Sequence, residues 1–170
     1  MLAIHLRRGD YREACLSLAN WNSTIYGWDL LEFLPDNFIP PSGGVLGKNT
    51  PENVEVHMTH CWPNERQVLE KKKHNSRNDY VKSTEEVIDI LYILTDDQTE
   101  CLGRVKSLRK SDGWRVIITN HDLVLDQGGK DVDIAVDMEF AIQAAIFVGN
   151  GWSSFTSNIV HRRLVKGILP

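Results

Sequence analysis

The sequence is short of several things, and each shortage excludes a class of protein. No apolar run reaches the roughly 18 residues that a membrane-spanning helix needs, and the first residues lack the basic, apolar and cleavage regions of a secretory signal. Positive charge is not in excess: 19 Lys and Arg stand against 23 Asp and Glu, a formal net charge of −4. No global field therefore draws in nucleic acid or anionic lipid. Cysteine is scarce, with three residues (Cys15, Cys61, Cys101) and no C-x-x-C pair, so neither a zinc ribbon nor a thioredoxin motif is supported. Internal repeats and low-complexity tracts are absent too. What remains is ordinary for a globular domain: 170 residues, 42% hydrophobic and 25% charged, enough for one domain with a proper core. Met1 stands one residue before a core strand, which suggests a fragment or truncated gene product.

The organising stretch is the first ten residues. Met1 to Ile4 read as a buried strand that runs into His5-Leu6-Arg7-Arg8-Gly9-Asp10. In open α/β sheets, ligands bind outside the carboxyl ends of strands, and an arginine fork matches phosphate oxygens two at a time. Arg7 and Arg8 are therefore candidate anion ligands. They are equally readable as end-of-strand charges paired with Asp10 or another carboxylate.

Residues 11–62 are the irregular part, broken by Pro35, Pro40, Pro41, Gly43, Gly44 and Gly47. A short helix is expected over Tyr11–Leu18. Trp21, Trp28 and Phe33 suggest a loop packed by its own side chains. Gly43 to Thr50 resembles a Walker A loop but is one residue short, has Asn49 where Ser or Thr belongs, and follows prolines rather than a strand. Arg8-Gly9-Asp10 ends a strand and so is not an integrin-type loop tip. Val54–His60 alternates apolar and polar and predicts a half-buried strand. On a strand, His57 and His60 point to opposite faces, which argues against a metal site with Cys61. A short helix from Pro63 to about Lys72 and a solvated basic connector, Lys71–Asn78, follow. The connector lacks the aromatics of a nucleic-acid surface.

From Val87 the pattern becomes regular. Val87–Leu94 is a continuous apolar run of the kind buried in parallel sheets. Thr95-Asp96-Asp97 reads as the cap of a helix over about Gln98–Lys110, with Cys101, Leu102, Val105 and Leu108 on its inner face and Gly113 as its stop. Trp114–Thr119 is a strand, Asp133–Ala145 a helix, Ile146–Gly149 a short strand, and a last helix runs from Ser153 through Arg163. The alternation predicts an α/β fold with a parallel sheet and helices on both faces.

The Gly149-Asn150-Gly151-Trp152-Ser153-Ser154-Phe155-Thr156-Ser157-Asn158 stretch combines a strand end, a glycine turn and a hydroxyl-rich helix start. A helix N-terminus carries partial positive charge and free N–H groups, although Ser153 or Ser154 also serves as an ordinary N-cap. In a parallel sheet, Arg7 and Ser153 both lie at carboxyl ends of strands. Two guanidiniums and a hydroxyl-lined helix start facing one crevice describe a diphosphate cradle.

These two motifs, in this order around a Tyr-Ile-Leu-Thr-Asp strand end, resemble the nucleotide-binding half of GDP-fucose protein O-fucosyltransferases. The fungal branch is especially similar, and α1,6-fucosyltransferases are more distantly alike. The resemblance covers nearly the whole chain but only the C-terminal half of a family member. It implies a Rossmann-like domain of a GT-B glycosyltransferase, with the N-terminal acceptor domain absent. It also implies GDP-fucose as donor, a protein or glycan hydroxyl as acceptor, inversion at the anomeric carbon and no metal or other cofactor. The family works in the ER and Golgi lumen; any membrane attachment would come from a segment not present here, and nucleic acid is not an expected partner.

Carried over by position, Arg7 is the catalytic grip on the diphosphate, assisted by Arg8. His5 lies against the nucleoside. Asp137 contacts guanine or ribose, with Asp96 the less favoured candidate for that task, and Ser153, Ser154, Phe155 and Thr156 bind phosphate and ribose. No residue is nominated as base for the acceptor hydroxyl. The alternatives are a non-catalytic nucleotide-binding remnant, or a GT-B transferase using another nucleotide sugar. Cys15 and Cys61 flank the loop-rich segment and are expected to pair, leaving Cys101 as a buried free thiol. The Asn22-Ser23-Thr24 sequon agrees with a luminal compartment.

Overall fold

The computed structural model of the chain describes residues 1–24, 31–33, 38–45, 47–64, 67–68, 76–97, 100–110, 113–124, 126, 128 and 132–168. Its centre is a parallel sheet of β1 (Leu2–Leu6), β2 (Ile90–Thr95), β3 (Val116–Thr119) and β4 (Ile146–Val148). The spatial order is β3-β2-β1-β4, with every pairing parallel. The chain steps outward from β1 to β2 to β3 and then returns to the far side of β1. The strand order thus reverses between β1 and β4, and the carboxyl side of such a reversal opens a crevice.

Both faces of the sheet are covered, which is why its strands read as unbroken apolar runs. Side chains alternate with period two. Ala3, Tyr92, Leu94 and Phe147 enter a core shared with Ala141, Ile142, Trp152, Ile159 and Val160. Leu2, Ile4, Leu6, Leu91 and Ile93 enter a second core with Leu102, Val105, Ile88 and Trp114. The helices supplying these layers are α1 (Tyr11–Asn20), α2 (Pro51–Cys61), α3 (Ser76–Thr84), α4 (Glu100–Lys110), α5 (Asp133–Gln143) and α6 (Ser154–Val165). The α/β fold with helices on both faces is as the alternation predicts.

Two local expectations fail. Val54–His60 is not a strand but the body of α2. Thr50 caps its start by accepting from the Asn53 N–H at 3.2 Å, Pro51 holds the first turn, and Asn53, His57 and Cys61 repeat every fourth residue on the buried face. That start signal and the four-residue spacing outweigh a seven-residue alternation. The opposite-faces argument for His57 and His60 falls with the strand. His57 turns into the core beside Phe38 and Trp152, while the His60 ring bonds the Val56 carbonyl at 2.8 Å. Second, residues 11–62 contain two helices of ten and eleven residues, so the segment is less irregular than its breakers suggest. The helix expected from Pro63 falls largely outside the described residues, as do the first part of the basic connector and the Cys101 side chain. The rest of that connector forms the start of α3.

A disulfide joins Cys15 of α1 to Cys61 of α2, with Cα atoms 5.8 Å apart and a sequence separation of 46. Beside it, the Asn22 amide ties three segments together. It donates to the Pro41 carbonyl at 3.2 Å and accepts from Asn49 at 2.9 Å and the His57 ring at 3.1 Å. The sequon asparagine is therefore a structural crosslink of the α1–α2 layer. Under α5, the buried Arg163 guanidinium donates to the carbonyls of Ala141, Ile142 and Ala144. It ties off carbonyls that the helix end would leave unsatisfied. Among the described residues, no helix is long and apolar enough to cross a membrane.

Replacing Cys15 and Cys61 with serine should lower the unfolding free energy by about 4 kcal/mol in the chain-entropy model for a loop of this length. Urea midpoints of oxidised wild type and the double variant measure it. Coincident curves would mean that the bridge constrains nothing the α1–α2 packing does not already hold.

Candidate functional site

A cleft of about 590 Å³ opens at the carboxyl ends of β1, β2 and β4, lined among others by His5, Arg7, Asp137, Ser153, Ser154 and Phe155. Register explains the convergence. Leu6 pairs with Thr95, so the next residues, Arg7 and Asp96, leave their strands side by side. Ile4 pairs with Val148, which sets Gly149 beside His5 and carries the β4–α6 turn over the same opening. Ile93 pairs with Thr119, so Asn120 and His121 emerge against the end of β2. The Asn120 amide clamps that end, accepting from the Thr95 N–H at 3.2 Å and donating to its carbonyl at 3.0 Å.

The glycine turn after β4 exists because nothing larger fits. A Cβ on Gly149 would overlap the Thr156 side chain. That closeness lets the Thr156 hydroxyl accept from the Asn150 N–H at 3.1 Å and bond His5 Nδ1 at 2.6 Å. His5 packs against Phe155 with ring centres 4.9 Å apart. The Asn150 amide bonds the Cys61 carbonyl at 2.8 Å and the Trp152 N–H at 3.0 Å. Opposite, the Tyr11 hydroxyl donates to the Trp152 carbonyl at 2.5 Å. The turn is thus held from both sides.

Ser153 occupies the N-cap position of α6, yet its side chain makes no capping hydrogen bond. It is buried and lines the cleft with Ser154. A hydroxyl not used to cap its own helix is available to a ligand there, together with the first-turn N–H groups.

The sequence-derived candidates divide by placement. His5, Arg7, Asp137, Ser153, Ser154 and Phe155 line the cleft. Thr156 is buried behind it and orients His5. The Arg8 guanidinium leaves in another direction, donating to the Pro63 carbonyl and stacking over Trp62 at 4.8 Å. Residues that the sequence did not nominate also line it, including Tyr11, Asn120, His121 and Asp133. Their only signal was position, one or two residues past a strand end or at a helix start. Among the described residues, no group of three or more His, Cys, Asp or Glu side chains is gathered to hold a metal ion.

No protein-family model matches the chain, and no curated protein matches it significantly.

Arg7 brings a guanidinium to the cleft. Asp137, which also lines it, accepts from the Tyr92 hydroxyl at 2.6 Å. Burial pushes the Asp137 carboxyl above the usual carboxylate range, reinforced by Asp133 and opposed by the Tyr92 hydrogen bond and by His121. Burial and the carboxylate together push the Tyr92 hydroxyl up. A half-buried carboxylate with a raised pKa in a cleft is a common mark of a ligand-reading group.

A raised carboxyl pKa means that the folded chain holds this proton more tightly than the unfolded chain. The group's contribution to stability is then fully present below the ordinary value of 3.8 and is lost as pH rises through the folded value. Asp137→Asn should therefore melt higher than wild type at pH 7, with the gap closing toward pH 4. A variant melting lower at pH 7, or a gap independent of pH, would contradict this account of the carboxylate.

Proposed function

We propose that the chain binds GDP-fucose and acts as the donor-binding half of an inverting, metal-independent fucosyltransferase acting on a protein or glycan hydroxyl. The observation that carries the reading is convergence. At the point where strand order reverses, Arg7 from β1 and the uncapped hydroxyl-rich start of α6 from β4 face one cleft. The resemblance to the nucleotide-binding half of GDP-fucose protein O-fucosyltransferases rests on those same residues.

In this reading the pyrophosphate lies between the Arg7 guanidinium and the α6 N-terminus, contacting Ser153 and Ser154. His5 and Phe155 form the wall for the nucleoside. Asp137 accepts from the N1–H and N2–H2 groups of guanine, a pair of donors that uracil lacks. As the bond between the fucose anomeric carbon and the β-phosphate oxygen breaks, negative charge grows on the departing GDP. Donors fixed beforehand at that position lower the barrier because they need no reorganisation. Arg7 is the catalytic residue in this sense. The disulfide between Cys15 and Cys61 supports an oxidising compartment such as the ER or Golgi lumen.

A second reading, nucleotide binding without transfer, is favoured by one observation. Among the described residues, each carboxylate lining the cleft already accepts a hydrogen bond, Asp96 from Arg7 and Arg8, Asp137 from Tyr92, and Asp133 from the Ile134 N–H at 2.6 Å. Assaying fucose transfer alongside GDP binding distinguishes the two.

Calorimetry should give GDP at least about tenfold tighter than UDP, since an unmatched polar edge costs a site of this kind more than 1 kcal/mol. Equal affinities, or none for either, would defeat the proposal. Arg7→Lys should lose about 2–5 kcal/mol of GDP affinity, because a point charge cannot replace the planar, oriented donors of the guanidinium. Normal GDP binding by Arg7→Lys, with loss in Arg8→Lys, would mean that the wrong arginine has been assigned.

A further inference from the structure

We infer that Asp96 is the positioning residue of the anion site: it holds the Arg7 guanidinium in place, whereas Asp10 is a placeholder that an incoming diphosphate displaces. The inference rests on the proposed diphosphate site for its functional consequence, but not for the geometry.

Three contacts, of different kinds, meet on the Asp96 carboxylate. Oδ2 accepts from Arg7 Nη1. Oδ1 accepts from the backbone N–H of Arg8 at 2.8 Å. Gly9, at φ +58°, passes so close that a Cβ there would sit 2.7 Å from Oδ2. The Arg7-Arg8-Gly9 segment is therefore folded around this one carboxylate, and glycine is required by both the backbone angle and the space. The backbone that carries Asp96 is held at the residue before it, because the Asn120 amide clamps both backbone groups of Thr95.

Asp10 differs in every respect. It meets Arg7 Nη2 at 3.2 Å, and its side chain is 90% exposed where that of Asp96 is 33% exposed. An exposed i,i+3 pair of this kind contributes little and yields readily to a competing anion. A bound phosphate can take the Nη2 donor from Asp10 while Nη1 remains on Asp96, so the guanidinium enters the complex already oriented. With both oxygens engaged by Arg7 and Arg8, Asp96 is also a poor reader of the base edge.

The two aspartates make the test one of sign. Simple electrostatics predicts that removing either negative charge beside an anion site tightens anion binding. Positioning predicts opposite effects. Asp96→Asn should weaken inorganic pyrophosphate and GDP by about tenfold or more, as misplacement of a binding group does. Asp10→Asn should tighten both by about two- to fivefold, the range of an exposed ion pair. Gly9→Ala keeps every charge and displaces the carboxylate sterically, so it should reproduce the Asp96→Asn loss; it also serves if Asp96→Asn does not fold.

Arginine-labelled NMR of the ligand-free chain gives a readout independent of nucleotide. The Arg7 Nη signals, assigned through Arg7→Lys, should be resolved in wild type and in Asp10→Asn, and averaged by free rotation in Asp96→Asn and Gly9→Ala. Unchanged Arg7 signals in Asp96→Asn, pyrophosphate binding as tight as wild type, or equal weakening by both aspartate variants would overturn the inference. Should wild type bind neither GDP nor pyrophosphate, the proposed function fails, and the Arg7 signals alone decide whether Asp96 fixes the guanidinium.

Discussion

A strand covered on both faces has nowhere to put charge except its ends. In β1, five consecutive buried residues, Leu2–Leu6, run between two apolar layers, and the first guanidinium follows immediately. Burying an arginine in the middle of such a strand would strand a charge in low dielectric. The parallel arrangement then brings the corresponding ends of β2 and β4 to the same rim. One constraint thus accounts for the concentration of polar groups here: apolar strands in register deliver their polar successors together. Arg7 beside Asp96, Gly149 beside His5 and Asn120 beside Leu94 all follow from three register pairs.

The rim is built from two kinds of polar group. Some are spent on architecture: Arg8 on Pro63 and Trp62, Thr156 on His5 and Asn150, and Asn150 on Cys61 and Trp152. Others, Arg7, Ser153 and Ser154 among them, line the cleft. The architectural set keeps the ligand-facing set in place without contacting the cleft itself. The disulfide belongs to this supporting layer. It binds α1, whose Tyr11 braces the Trp152 carbonyl, to α2, whose Cys61 carbonyl receives the Asn150 amide.

What was legible in the sequence was set by period and by punctuation. The apolar runs at Met1–Ile4 and Val87–Leu94, and the helical spacing of Ile134, Met138, Ala141, Ile142 and Ala145, mark where the sheet and a flanking helix lie, although β2 begins only at Ile90 and both Val87 and Ile134 stay exposed. The rim motifs were legible because glycine and hydroxyl residues after a strand carry a local geometric meaning. Val54–His60 was misread because seven residues suit either period, and the deciding signal lay outside the run, in Thr50-Pro51. Arg8 could not be separated from Arg7 by residue type. Strand alternation turns successive side chains to opposite sides, and only the position of Trp62 and Pro63 shows where the second guanidinium finds its partners.

Asp96 illustrates a deeper limit. As Thr95-Asp96-Asp97 before a helix, it carries the local signature of a cap, and nothing within ten residues argues otherwise. Its carboxylate instead faces a segment 88 residues away, a partnership created by the parallel pairing of β1 and β2. Local pattern assigns a polar residue its commonest local task, whereas a sheet edge gives it a partner from a distant strand. Gly9 is the one place where the partnership left a trace in the sequence. A glycine between two charged residues at a strand end answers both the left-handed backbone angle of the turn and the carboxylate oxygen that lies beside its missing side chain.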